Sequence, residues 1–92
     1  MKPELNAKPR LAAGVRLNEK TQDQRMLLMP ERALRLNGPS LEIVQLCDGN
    51  HTIQQIAEKL HILYSKAEPR RITDDLLGYL ALLHDQRAID FV

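Results

Sequence analysis

A mainly helical α+β domain is what the sequence predicts, and three observations predict it. Apolar residues make up 43% of the 92-residue chain but aromatics only 3%, so the core is built from Leu, Ile, Val and Ala, a set that suits packed helices. Hydrophobic alternation of period two falls mainly in short runs before residue 37, and from residue 40 the spacing becomes helical. A chain of this length buries only roughly 60 to 65% of the surface it exposes when unfolded, which leaves room for one domain with one small core.

Taken in order, residues 1–14 contain Pro3 and Pro9, spread charges and no apolar period, and are expected to form a flexible tail ahead of a folded unit of residues 15–92. Val15-Arg16-Leu17 alternates, residues 18–24 are polar, and Met26-Leu27-Leu28-Met29 is stopped by Pro30, which reads as a hairpin with a loose turn. Ala33-Leu34-Arg35-Leu36, between Pro30 and the breakers Asn37-Gly38-Pro39, is too short for a helix. It is read as a third strand, with Leu34 and Leu36 on one face.

Three helices are expected beyond it. The first, over 40–48, places Ile43 and Cys47 on one line and stops at Asp48-Gly49. The second opens on a capping box, Thr52 with Gln55, and repeats Ile53, Ile56, Ala57 and Leu60 at helical spacing. The third, over 69–85, begins at Pro69 and gathers Ile72, Leu76, Tyr79, Leu80 and Leu83 in one stripe. Residues 88–92 alternate and can add a terminal strand. The sum is a small N-terminal three-strand sheet on a three-helix cluster, winged-helix-like, with the second and third helices as its helix-turn-helix unit.

Several function classes find no support. Thirteen basic and twelve acidic residues leave a net charge of +1, too little to attract nucleic acid or an anionic membrane. Cys47 is the only cysteine, and on the stripe of Ile43 it behaves as a small hydrophobe and not as a nucleophile. His51, His61 and His84 lack metal-ligand spacing, and the glycines are scattered, so neither a metal nor a nucleotide is expected. Asp74 and Asp75 in the first turns of the third helix suit the helix dipole without catalysis. Arg70 and Arg71 raise duplex DNA as a rival ligand, but the two aspartates one turn away offset them. With no signal sequence in evidence and no apolar run long enough to span a bilayer, a cytoplasmic protein is expected, without enzymatic activity.

The third helix is unusually apolar, because Leu77 and Ala81 extend its greasy face beyond the main stripe. A groove between that helix and the strand 33–36 would accept an extended peptide, which gains main-chain hydrogen bonds from the strand and inserts alternate side chains beside the helix. The hinge Asn37-Gly38-Pro39 is short enough to allow domain swapping, so a monomer and a weak or swapped dimer are both compatible with the sequence.

Leu27-Leu28-Met29-Pro30-Glu31-Arg32, Leu36-Asn37, Ile43, Leu46-Cys47-Asp48-Gly49, Thr52-Ile53 and Ile56 together resemble the PqqD family of pyrroloquinoline quinone (PQQ) biosynthesis, from about Pro9 to the C-terminus. The resemblance implies a peptide-binding domain of the kind called a RiPP recognition element. Such a domain holds the precursor peptide PqqA and delivers it to the radical S-adenosylmethionine enzyme PqqE, which carries the cofactors. It implies that Arg32, Ala33, Leu34, Arg35 and Leu36 form the strand side of the peptide site, and that Ile72, Asp75, Leu76 and Tyr79 line the helix side. The helical wheel adds Leu77 to that wall.

Overall fold

A computed structural model describes residues 4–18, 25–36 and 39–92. Three strands, β2 (Arg16–Asn18), β3 (Met26–Leu28) and β4 (Ala33–Arg35), form an antiparallel sheet in the order β2-β3-β4. Its register places Leu17, Leu27 and Leu34 in one cross-strand row. Leu27 is fully buried, and its two neighbours in the row pack against the core. Three leucines on one face thus tie the sheet to the helices, as the alternation of each short run requires. Of the expected polar turn at 18–24, Asn18 ends β2 and residues 19–24 lie outside the described residues, as do Asn37 and Gly38 of the expected hinge.

The helices are α1 (Pro39–Gln45), α2 (Ile53–Leu63) and α3 (Pro69–Asp85). Helix α1 ends earlier than its apolar spacing implies. The amides of Leu46 and Cys47 bond to Ile43 and Val44, three residues back, and so tighten the last turn. Gly49 then takes φ +78°, a conformation that glycine adopts without a side-chain penalty. The capping box of α2 is present in both directions: Thr52 Oγ1 accepts the Gln55 amide at 3.1 Å, and Gln55 Oε1 accepts the Thr52 amide at 2.8 Å. Helix α3 begins with Pro69 at its first position and has the span that the sequence predicts. Asp74 and Asp75 fall in its second turn, where the macrodipole is weaker than in the first. Leu76, Leu80 and Leu83 pack with Ile53, Ile56 and Leu60 in a core with no buried polar or charged residue among the described residues.

The N-terminal segment departs from the expectation of a flexible tail. Residues 9–11 form β1 (Pro9–Leu11), paired antiparallel with β5 (Ile89–Phe91). The segment also runs across the α1–α2 connection, where the Leu11 amide bonds to the Cys47 carbonyl at 3.2 Å and the Gly49 amide to the Pro9 carbonyl at 2.9 Å. Farther back, the carbonyls of Leu5 and Ala7 accept the amides of Gln54 and Ile53 at 3.0 and 2.9 Å. Those are orphan donors at the start of α2, and the capping box leaves them unsatisfied. All these contacts are made by the backbone, so a chain without apolar period can still be held. Pro9 is tolerated because it opens its strand, and it is fully buried.

Candidate functional site

The strand foreseen as the third is β4, and it is an edge: it pairs with β3 on one side only. Two hydrogen bonds fix the phase of that pairing. Met29 donates its amide to the Arg32 carbonyl at 2.8 Å, and Leu36 donates to the Arg25 carbonyl at 2.9 Å. Antiparallel ladders alternate, so residues 32, 34 and 36 turn their main-chain groups toward β3 while Ala33 and Arg35 turn theirs to the outer edge. The side chains sort independently of this. Leu36 is buried, Leu34 half-buried, and Arg32, Ala33 and Arg35 are exposed.

Just past the end of β4 lies a mainly apolar cavity of about 380 Å³ between the starts of α1 and α3 and the end of α2. Ile72, Asp75, Leu76 and Tyr79 line it, so the structure brings together four of the five helix residues singled out from sequence. Leu77 is not among them. It lies two residues from both Asp75 and Tyr79, about 160° round the helix, and packs against the core on the other flank. The apolar breadth of α3 that pointed to Leu77 thus lies away from this cavity.

The remaining walls come from residues that the sequence does not single out, among them Pro39, Ile43, Leu60 and Tyr64. Periodicity marks Ile43 and Leu60 as core and leaves Pro39 and Tyr64 without a role beyond chain turning, and only the fold shows that all four border a cavity. Burial, and after it the neighbouring Glu42 carboxylate, raise the Tyr64 hydroxyl above its ordinary pKa. It stays a neutral phenol at physiological pH. At the rim, Arg71 lies 4.0 Å from Asp75, and both are exposed, so the pair contributes little to stability.

A second cavity, of about 410 Å³, opens at the other end of β4 and α3, lined by Met29, Pro30, Glu31, Arg32, Asp85, Gln86 and Arg87. The start of β4 thus meets the end of α3 at this cavity, while α1, which follows β4, meets the first half of α3 at the other. At 100° per residue, Asp75, Tyr79, Leu82 and Gln86 fall within about 60° and form the helix flank that joins the two. Leu82 is 48% exposed, an unusual position for a leucine in the last turn of a helix whose other leucines are buried or half-buried. Its place on the wheel lies beside the apolar stripe, which is why sequence spacing alone does not mark it.

Cys47, the chain's one thiol, is held in its neutral form. Burial, with a smaller contribution from the Asp48 charge, pushes the Cys47 thiol up to about 12, and its Sγ donates to the Ile43 carbonyl at 3.1 Å. No cluster of three potential metal ligands occurs among the described residues. No described helix is long and apolar enough to cross a membrane.

Comparison with known proteins places these features in a family. Residues 24–89 match the family model for coenzyme PQQ synthesis protein D (PqqD). The chain is 34% identical over 85 residues to a PqqA binding protein of Xanthomonas euvesicatoria pv. vesicatoria, covering 91% of each. It is 37% identical over 83 residues to the bifunctional coenzyme PQQ synthesis protein C/D of Methylorubrum extorquens, but spans only 22% of that longer protein. The solution NMR structure of the PqqD truncation of Methylobacterium extorquens PqqCD, a functional and stand-alone RiPP recognition element, matches with a TM-score of 0.77 at 34% identity. The match covers 98% of this chain and 95% of that one.

Proposed function

The chain belongs to the PqqD family, and on that premise we propose that it binds a PqqA precursor peptide by strand addition to β4 and presents it to the radical S-adenosylmethionine enzyme PqqE. The observation that carries this reading is the open edge of β4. That strand turns the main-chain groups of Ala33 and Arg35 outward, its start meets the end of α3 at one cavity, and the helix that follows it walls an apolar cavity with Tyr79. A strand laid on that edge gains main-chain hydrogen bonds irrespective of its sequence, while an apolar side chain entering the cavity supplies selectivity. The domain itself needs no reactive group. It raises the effective concentration of the peptide at the modifying enzyme and orders the chain for it, and PqqE supplies the chemistry and its cofactors.

An amide NMR titration of the labelled protein with a PqqA peptide and with a scrambled peptide of the same composition tests this. Shifts confined to β4 and to Ile72, Asp75, Leu76 and Tyr79, produced by the native peptide alone, are the expected result. Absence of binding by either peptide would sink the reading and return duplex DNA to consideration, for which a salt titration is decisive. A ternary step is tested separately, by adding PqqE to the peptide complex and following residues outside the groove.

A further inference from the structure

We infer that Gln86 is a peptide-binding residue, whose carboxamide clamps the main chain of the bound peptide where it passes the start of β4. The inference rests on the reading above and names a contact within that site. Three observations support it. Gln86 continues the flank of Asp75, Tyr79 and Leu82, and its near-helical backbone, φ −86° and ψ 5°, keeps it on the same side of α3 although the helix proper ends at Asp85. It lines the second cavity together with Arg32, the residue directly before the outward-facing Ala33. Its Oε1 is buried with no hydrogen-bond partner.

The third point is the most informative. Folded proteins rarely leave a buried carboxamide oxygen unpaired, and where they do the group calls for an explanation. The surrounding side chains do not supply one: Glu31, Arg32, Asp85 and Arg87 share the cavity, yet none of them donates to Gln86 Oε1 among the described residues. The terminal torsion of glutamine is soft, so the carboxamide is free to turn toward the cavity. A carboxamide offers one acceptor and one donor side by side, which matches the N–H and C=O that a peptide unit presents. The ligand chemistry is therefore the peptide backbone itself. Such a clamp continues the β4 ladder for one further unit and holds the chain without reading its sequence.

The test is a cycle of Gln86→Met, which keeps the length of the side chain and removes both polar groups, against single N-methylation at successive amides of a PqqA peptide. Affinities are measured by calorimetry on the full chain. Gln86→Met is expected to weaken the unmodified peptide about tenfold, the usual scale for one such hydrogen bond, while leaving the thermal midpoint unchanged or raised because an unpaired buried oxygen has gone. One N-methyl position should weaken binding to the wild type and have no further effect on the variant. If the wild type binds the peptide and the variant binds it equally, with every N-methyl position acting alike on both, Gln86 is no clamp although the groove stands. If the wild type binds no peptide at all, the proposed function itself fails and this inference goes with it. Should the variant fold poorly, the N-methyl scan on the wild type remains decisive: at least one sensitive amide beyond those facing Ala33 and Arg35 is required.

Discussion

The carbonyl of Ala7 accepts the amide of Ile53 at 2.9 Å, so the first helical residue of α2 is capped by a segment more than forty positions earlier in the chain. Deleting residues 1–7 removes this bond and its neighbour from Leu5 to Gln54, and leaves two helix-terminal amides without protein partners. The expected loss is about 1 to 3 kcal/mol of unfolding free energy, read from urea denaturation. An unchanged midpoint would mean that water replaces the arm at no net cost.

Ala33 and Leu34 are adjacent on β4 but turn their amides in opposite directions. Ala33→Pro removes an outward donor and should leave the fold intact while weakening PqqA peptide binding about tenfold or more. Leu34→Pro removes a donor to β3 and should destabilise the domain by about 3 kcal/mol. Equal peptide affinity for wild type and Ala33→Pro would argue against strand addition at this edge.

Tyr79 and Leu77 separate the two flanks of α3 in the same way. Tyr79→Ala opens the cavity wall and is expected to reduce peptide affinity by about 1 to 2 kcal/mol. Leu77→Ala, on the core-packed flank, should lower stability by about 1 to 2 kcal/mol and leave affinity alone. Calorimetry and thermal melts on both variants distinguish these patterns, and the reverse pattern would place the peptide on the other side of the helix.

Asp48 accepts the Asn50 amide at 2.8 Å and lies 3.0 Å from His51 Nδ1. The backbone hydrogen bond first, and the His51 side chain next, hold its carboxyl below the ordinary value of 3.8. A lowered folded-state pKa stabilises the fold above the unfolded value, and that contribution disappears as pH falls through the folded value. The thermal midpoint should therefore drop below about pH 4, and Asp48→Asn should begin lower at neutral pH and lose less on acidification. Superimposable acid profiles for the two proteins would remove Asp48 as a contributor.

Where side chains set the structure, the sequence was readable. Pro69 starts α3, Thr52 and Gln55 cap α2, and the alternation of Ala33 to Leu36 predicts both the strand and its buried face. The small sheet on three helices follows from these alone. Residues 5–11 were illegible because backbone carbonyls and amides, the same in every sequence, hold much of the segment, while the side chains that reach the core, Ala7, Pro9 and Leu11, form no apolar period. The lining of the cavity was legible in part for a similar reason: one apolar stripe serves core and cavity alike, so spacing selects Ile72, Leu76 and Tyr79, which line it, together with Leu77, which does not. Leu82 and Gln86 acquire meaning only once the partner of each helix flank is known.

The pairing of β1 with β5 brings Lys8 and Val92 together, and their amides and carbonyls bond reciprocally at 2.8 and 3.4 Å. From Lys8 onward the polypeptide is then almost a ring, closed by one pair of backbone hydrogen bonds. Joining Val92 to Lys8 through a short linker and reopening the ring in the turn between α2 and α3 should give a permuted chain with the same architecture, less stable by the two bonds that Leu5 and Ala7 give to the start of α2.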